Sequence, residues 1–232
     1  MRYAAILLDA DETLFDFRAG EAIALRETLR AIDLSGEEAE AAYRRCNEAC
    51  WRALERGEIN QAQLRIRRFA DLFRCFGRTD DPALADRIYV DLLSRQAIAL
   101  PGAPEAVKAL SRLAKLALVT NGISVVQRGR IGRSPFAPYL DAVVISEELG
   151  CAKPNPRIIH EALAQLGGIS PTAALMVGDS LKSDIECARN AGCDACWING
   201  KRVPRESSLP IRYEIQSIAE LPELLRENAP GE

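Results

Sequence analysis

A single histidine, His160, stands in the 232 residues. A zinc site wants four ligands, and the seven cysteines have only this one imidazole to complement them. Cys193 and Cys196 form an isolated C-x-x-C with Cys187 upstream. An odd cysteine count without an export signal fits reduced thiols better than a disulfide framework, so these are read as small buried thiols. Positive charge is not in surplus either: the net charge is -3 and the pI about 5.5. That excludes a broad field for nucleic-acid polymers, though not local capture of one phosphate. No apolar run approaches the roughly 20 residues of a bilayer span. Met1-Arg2-Tyr3 runs straight into a strand-like segment, with no charged n-region, apolar h-region or cleavage site. The expectation is a soluble, cytoplasmic protein, monomeric or a small homo-oligomer, that binds neither membrane nor nucleic acid. Repeats and low-complexity segments are absent, and the polar tail after Arg226 is expected to fray.

What is present alternates. Short β-rich runs occur at 4–8 (AAILL), 116–120 (LALVT), 142–146 (AVVIS), 174–179 (ALMVGD) and 195–199 (ACWIN). They are almost continuously apolar, as strands covered on both faces are. Helical patterns fill the gaps at Pro104 to Ala114, Arg157 to Leu166 and Lys182 to Ala191. Strand–helix repetition of this kind predicts an α/β fold with a doubly wound parallel sheet.

From 16 to 99 the strands stop. Ala22, Leu25, Leu29 and Ile32 recur at helical spacing, and Ser35 with Glu38 predicts a capping box for a second helix carrying Tyr43, Cys46, Cys50 and Leu54. Phe69, Phe73 and Phe76 mark a third helix that Gly77 would end, and Asp81-Pro82 reads as N-cap and N1 of a fourth. The organisation is therefore a core of 1–15 and 100–232 with an inserted α-helical block at 16–99. The insert sits where it would cover a crevice at the carboxyl ends of the strands, with hinges near Phe15 to Ala19 and Ala97 to Gly102.

The first run ends abruptly in Asp9, Asp11 and Glu12. Like charges gather at a strand end only if something positive answers them. In a parallel sheet the loops after the strands share one edge, and that edge collects DADET (9–13), TNG (120–122), CAKPN (151–155) and GDS (178–180), with Asp184 five residues beyond Asp179. Oxygen ligands from Asp9, Asp179 and Asp184 suit a hard cation, Mg²⁺ above all, which usually shares its shell with a phosphate. Thr120 offers a hydroxyl, the Asn121–Gly122 segment offers backbone N–H groups, and Lys153, one of only five lysines, offers a compact cation.

These residues resemble the four motifs of the haloacid dehalogenase-like (HAD) hydrolase superfamily: DADET, TNG, AKP and GDSLKSD, in that order, with the helical block where that superfamily carries its cap. DADETLF, VTNG, VISEELGCAKPN, MVGDSLKSDI and NAGCDACWIN further resemble its bacterial pyrimidine 5′-nucleotidases, which dephosphorylate nucleoside monophosphates such as UMP, dUMP and dTMP. The resemblance implies a Rossmann-like core, Asp9 as nucleophile and Asp11 as general acid and base. It implies phosphate binding by Thr120, Asn121 and Lys153. Mg²⁺ would be bound by Asp9, the backbone carbonyl of Asp11, Asp179 and, directly or through water or Lys153, Asp184. Dehalogenases of the superfamily lack the second aspartate of the first motif; Asp11 is present here, which favours a phosphatase. Phe17, Trp51 and Phe69 are candidates to stack on a base, each with core packing as the competing use. Glu12 is expected to face solvent or the helix start, and Thr13 to bond its own turn. A phosphatase for phosphoglycolate or a sugar phosphate stays open, since the core motifs touch only the phosphate. A phospho-receiver or other binding protein on a similar scaffold is disfavoured by the motif order and by the presence of Asp9, Asp11 and Lys153.

Overall fold

The computed structural model describes residues 2–204 and 208–227; most of the expected frayed tail, 228–232, and Met1 lie outside them. Six strands form one sheet in the order β3-β2-β1-β4-β5-β6. They are β1 (Ala5–Leu8), β2 (Lys115–Thr120), β3 (Ala142–Ile145), β4 (Ala174–Gly178), β5 (Asp194–Ile198) and β6 (Tyr213–Ile215). Every neighbouring pair is parallel. Strand order reverses beside β1, which pairs with β2 on one side and β4 on the other, so the crevice above β1 is the ligand-binding position of such sheets.

The alternation of the strands shows why each run had to be apolar throughout. Ile6 and Leu8, Leu116 and Leu118, and Leu175 and Val177 enter one hydrophobic cluster. Ala5 and Leu7, Ala117 and Val119, and Ala174 and Met176 enter another on the opposite face. The same alternation separates the C-x-x-C. Cys196 belongs to the first cluster and Cys193 to the second, so the two thiols do not converge. Both are buried, and burial pushes the Cys193 thiol up to about 12. Cys46 and Cys151 are only half-buried and Cys75 is exposed, so the expectation of buried thiols fails for those three.

Between β1 and β2 run α1 (Phe17–Ala31), α2 (Glu37–Glu55), α3 (Gln61–Cys75), α4 (Pro82–Ser94) and α5 (Ala103–Leu110). The first four pack around their own cluster, which includes Leu25, Leu29, Tyr43, Phe69, Phe73 and Tyr89. Asp81 caps α4 with Pro82 at its first position, and Gly77, at φ 62°, follows the end of α3. The expected Ser35–Glu38 box does not form. Gly36 is the N-cap of α2, at φ 132°, a conformation open to glycine, and this leaves Ser35 one residue too early. Within the helical block a capping box forms instead between Asn60, the N-cap of α3, and Gln63.

The remaining helices are α6 (Ser124–Gly132), α7 (Ser146–Leu149), α8 (Arg157–Gln165), α9 (Glu186–Ala191) and α10 (Leu221–Glu227). A π-helical turn, Leu181–Ile185, precedes α9. The helical block hangs from the core by two chain segments zipped together. Phe15 and Ala99 form an antiparallel bridge, Asp16 N–H donates to Ile98 O at 2.9 Å, and Leu100 N–H to Leu14 O at 2.9 Å. No helix among the described residues is long and apolar enough to cross a membrane.

Candidate active site

Asp9 directly follows β1, Thr120 ends β2 and Asp179 directly follows β4, so parallel register alone sets all three at one edge. Lys153 comes from the loop after α7 and Asp184 from the π-helical turn, an irregularity that often marks functional sites. Lys153 is buried, and its Nζ lies 2.5 Å from Asp9 Oδ1, 2.7 Å from Asp184 Oδ1 and 2.9 Å from the carbonyl of Val119. Three positions for three N–H donors make this lysine a fixed post rather than a mobile arm. Burial alone would lower its pKa, but Asp184 and Asp9 more than offset that, so it stays charged. Asn121 sets the lysine's backbone: its Oδ1 accepts from Lys153 N–H at 2.8 Å and its Nδ2 donates to Lys153 O at 3.0 Å. Asp184 is held by Ser180 N–H, which donates to its Oδ2 at 3.0 Å. A side chain on Gly178 would overlap that carboxylate, so the end of β4 must be glycine.

Asp9, Asp179 and Asp184 offer carboxylate oxygens all within 4.8 Å of one another, the only such group of three or more potential metal ligands among the described residues. Three acids face one lysine there. Burial, then Asp9 and Asp184, push Asp179 up to about 7, and burial with Asp9 pushes Asp184 up to about 6 despite Lys153. A cluster two charges short of balance and composed of hard oxygen donors fits a Mg²⁺-like dication, which would hold all three carboxylates ionised.

Asp11 takes a different cation. Arg130 of α6, itself buried, places Nη1 2.5 Å from Asp11 Oδ1, and Gln127 Nε2 donates to Asp11 Oδ2 at 3.0 Å and to Thr120 Oγ1 at 3.1 Å. Burial raises the Asp11 pKa, Arg130 opposes the rise and Asp9 adds to it. The guanidinium also lies over the rings of Phe15 and Phe17, 4.4 and 5.3 Å from their centroids, and donates to Gln96 O at 3.1 Å. Arg130 thus touches both segments that carry the helical block. Sequence reasoning missed Arg130 and Gln127. Their i, i+3 spacing on the helix after TNG was the one available signal, and polar residues so spaced read as a solvated face.

Glu12, at φ 61°, turns to the helix start, where its Oε1 accepts from Arg18 N–H at 3.2 Å. Thr13, expected to bond its turn, has a buried hydroxyl with no hydrogen-bond partner. His160 is exposed on α8. A narrow cavity of about 50 Å³ opens beside Asp11, between the helical block and the loop after β2. Phe17 and Trp51 line it. Phe69 does not: it is fully buried against Tyr43 and Tyr89, with ring centroids 5.2 and 5.7 Å away.

Known proteins resemble this chain in sequence and fold. The chain is 34% identical over 230 residues to pyrimidine 5′-nucleotidase PynA of Streptococcus pneumoniae, covering 98% of this chain and 97% of that one. It is 32% identical over 225 residues to pyrimidine 5′-nucleotidase YjjG of Escherichia coli, covering 97% and 99%. A solved structure of the putative HAD-hydrolase YfnB from Bacillus subtilis, bound to magnesium, superposes with a TM-score of 0.88 at 31% identity, covering 97% of this chain and 99% of that one. The sequence profile of the haloacid dehalogenase-like hydrolases matches residues 3–192. An acid-rich edge on a parallel sheet, an inserted helical block and these relatives agree: the chain belongs to the haloacid dehalogenase-like hydrolase family and is a hydrolase.

Proposed function

We propose that the protein is a Mg²⁺-dependent phosphatase acting on pyrimidine nucleoside 5′-monophosphates such as UMP, dUMP and dTMP. The observation that carries the chemistry is the pairing of two carboxylates with different cations: Asp9 on Lys153, Asp11 on Arg130. Two acids two residues apart are thereby placed in different environments, which is what splitting nucleophile from proton donor requires. The naming of PynA and YjjG as pyrimidine 5′-nucleotidases supports the substrate.

In this reading Asp9 attacks phosphorus in line with the ester bond. The Asp9–phosphorus bond forms as the bond to the nucleoside 5′-oxygen breaks, and Asp11 gives that oxygen its proton. Burial favours protonated Asp11, as a general acid needs. Asp11 then takes a proton from water as the water attacks phosphorus, freeing inorganic phosphate and the Asp9 carboxylate. Thr120 and the Asn121 backbone amide hold the phosphoryl oxygens. Lys153, its three N–H groups fixed on Asp9, Asp184 and Val119 O, binds the phosphoryl group through its charge, so that fixed groups act on developing charge without reorganising. Asp9, Asp179, Asp184 and the carbonyl of Asp11 would hold Mg²⁺, which supplies charge neutralisation between nucleophile and phosphate. The helical block, as a cap, excludes water from the first step.

The test is phosphate release, with Mg²⁺ and with chelator, over UMP, dUMP, dTMP, CMP, AMP, phosphoglycolate and hexose phosphates, with Asp9→Asn as control. Mg²⁺-dependent turnover favouring UMP, dUMP and dTMP is expected. Turnover favouring phosphoglycolate or sugars would keep the chemistry and overturn the substrate; release that survives Asp9→Asn would overturn the mechanism.

A further inference from the structure

The cavity beside Asp11 has one end built for phosphoryl chemistry and another whose polar groups that chemistry does not use. At about 50 Å³ it has room for a few waters. Phe17, Trp51 and Leu93 give it apolar walls suited to a flat ring. Among them stand Glu21, Asn47 and Arg68, one from each of α1, α2 and α3.

These three form a chain of long contacts. Asn47 Nδ2 donates to Glu21 Oε1 at 3.4 Å, and Arg68 Nη1 donates to Asn47 Oδ1 at 3.5 Å. Tyr89 OH also donates to Glu21 Oε1, at 3.2 Å, and Arg68 is anchored on Asp86 at 2.7 Å. A carboxylate only accepts and a guanidinium only donates. Turned over, the Asn47 amide would set its NH₂ against the guanidinium and its oxygen against the carboxylate. Its neighbours therefore fix which end is which. Each end keeps one unused valence, an N–H on Nδ2 and a lone pair on Oδ1, in a cavity beside the reacting centre.

We propose that Asn47 reads the N3–H and O4 edge of a uracil-type base, with Glu21 and Arg68 fixing the amide orientation that makes this reading selective. The proposal rests on the nucleotidase reading above and names the residue that decides among nucleotides. Uracil and thymine present a donor at N3 beside an acceptor at O4, which meet the amide oxygen and N–H. Cytosine presents an acceptor and a donor in those same two places, so like meets like at both contacts. A bidentate base contact discriminates by roughly 10- to 100-fold, and polar groups left unpaired on the wrong base are what make such rejection strong.

The experiment compares kcat/KM for UMP, CMP and ribose 5-phosphate, which has the sugar and phosphate but no base. Asn47→Leu is expected to lower the UMP to ribose 5-phosphate ratio by about 10- to 100-fold and to bring the UMP to CMP ratio towards one. Glu21→Gln, which removes one of the two groups that orient the amide while Arg68 remains, is expected to lower the UMP to CMP ratio by up to about tenfold while the UMP to ribose 5-phosphate ratio changes less. Equal losses on all three substrates in Asn47→Leu would show a structural role and overturn the proposal, as would ratios unchanged in both variants. Wild-type enzyme that prefers ribose 5-phosphate to UMP would overturn the nucleotidase reading itself; wild-type preference for UMP with unaltered ratios in the variants would overturn only the part given to Asn47.

Discussion

Two ionic clusters flank the cavity, and they are balanced differently. In the helical block, Asp86 is gripped by Arg68 and Arg65, each at 2.7 Å, with Glu21 nearby as a second acid. Charges there match two against two. At the sheet edge three acids surround Lys153. The first cluster is balanced in charge and ties α3 to α4 through Asp86. The second carries excess negative charge, which a cation from outside would balance. Imbalance, not burial, is what distinguishes the two, since each has a buried heart, Arg68 with Asp86 in one and Lys153 with Asp9 and Asp184 in the other.

Substitutions test that contrast directly. The largest effect is expected of Asp9→Asn, which removes the proposed nucleophile: phosphate release should fall by about 10⁴-fold or more, in the range found when a catalytic nucleophile is deleted. Asp179→Asn should be the more telling variant. It removes one of the competing acids, so turnover in Mg²⁺ should drop at least about 100-fold, beyond the 10- to 100-fold loss typical of a supporting metal residue. Its metal-free thermal midpoint should rise at pH 8, because a destabilising charge is gone. A fall in that midpoint would break the idea that the sheet-edge cluster is overcharged.

Asp86→Ala should behave in the opposite way. Leaving buried Arg68 without its partner costs about 3–5 kcal/mol, read by urea unfolding, while any loss of kcat should remain small beside that of Asp179→Asn. Equal catalytic losses in the two variants would erase the distinction between the clusters.

The smallest effect is the pH response of metal-free protein. The folded-state pKa of Asp179 is pushed up to about 7, above its ordinary value of 3.8. The native state therefore binds more protons than the unfolded chain between those values, and stability falls as pH rises through that window. The melting temperature should increase between pH 8 and pH 5.5 without metal, and saturating Mg²⁺ should flatten the trend by stabilising the ionised form. A metal-free midpoint that falls on acidification across that range would contradict this ordering of charges.

The sheet edge was legible because chain direction alone gathers it: once the apolar runs are read as parallel strands, Asp9, Thr120 and Asp179 must meet. Lys153 and Asp184 sit on a loop and a π-helical turn, yet they fall within short motifs whose order is fixed, and they too could be placed from sequence. Arg130 was not legible. It is buried by packing against Phe15 and Phe17, a fact about how the helical block is seated, and a helix written S-V-V-Q-R-G-R-I-G gives no hint of which arginine turns inward. The edge strand β6 escaped for another reason: three residues carry too little period to register. The failed Ser35 cap teaches a local lesson, that a glycine adopting φ 132° can claim the cap position from a better hydrogen-bonding neighbour.

The zipped connection at Phe15 and Ala99 has one more consequence, which concerns how the chain folds. The bridged residues are 99 − 15 = 84 positions apart. To the sheet, everything between them is a single closed loop. Loop-closure entropy grows with the logarithm of length, at about 0.6 kcal/mol per doubling, so carrying this insert in place of a ten-residue turn costs the core only about 2 kcal/mol. With its ends pinned, the insert packs its four helices around their own aromatic cluster while the sheet loses only that small increment of stability.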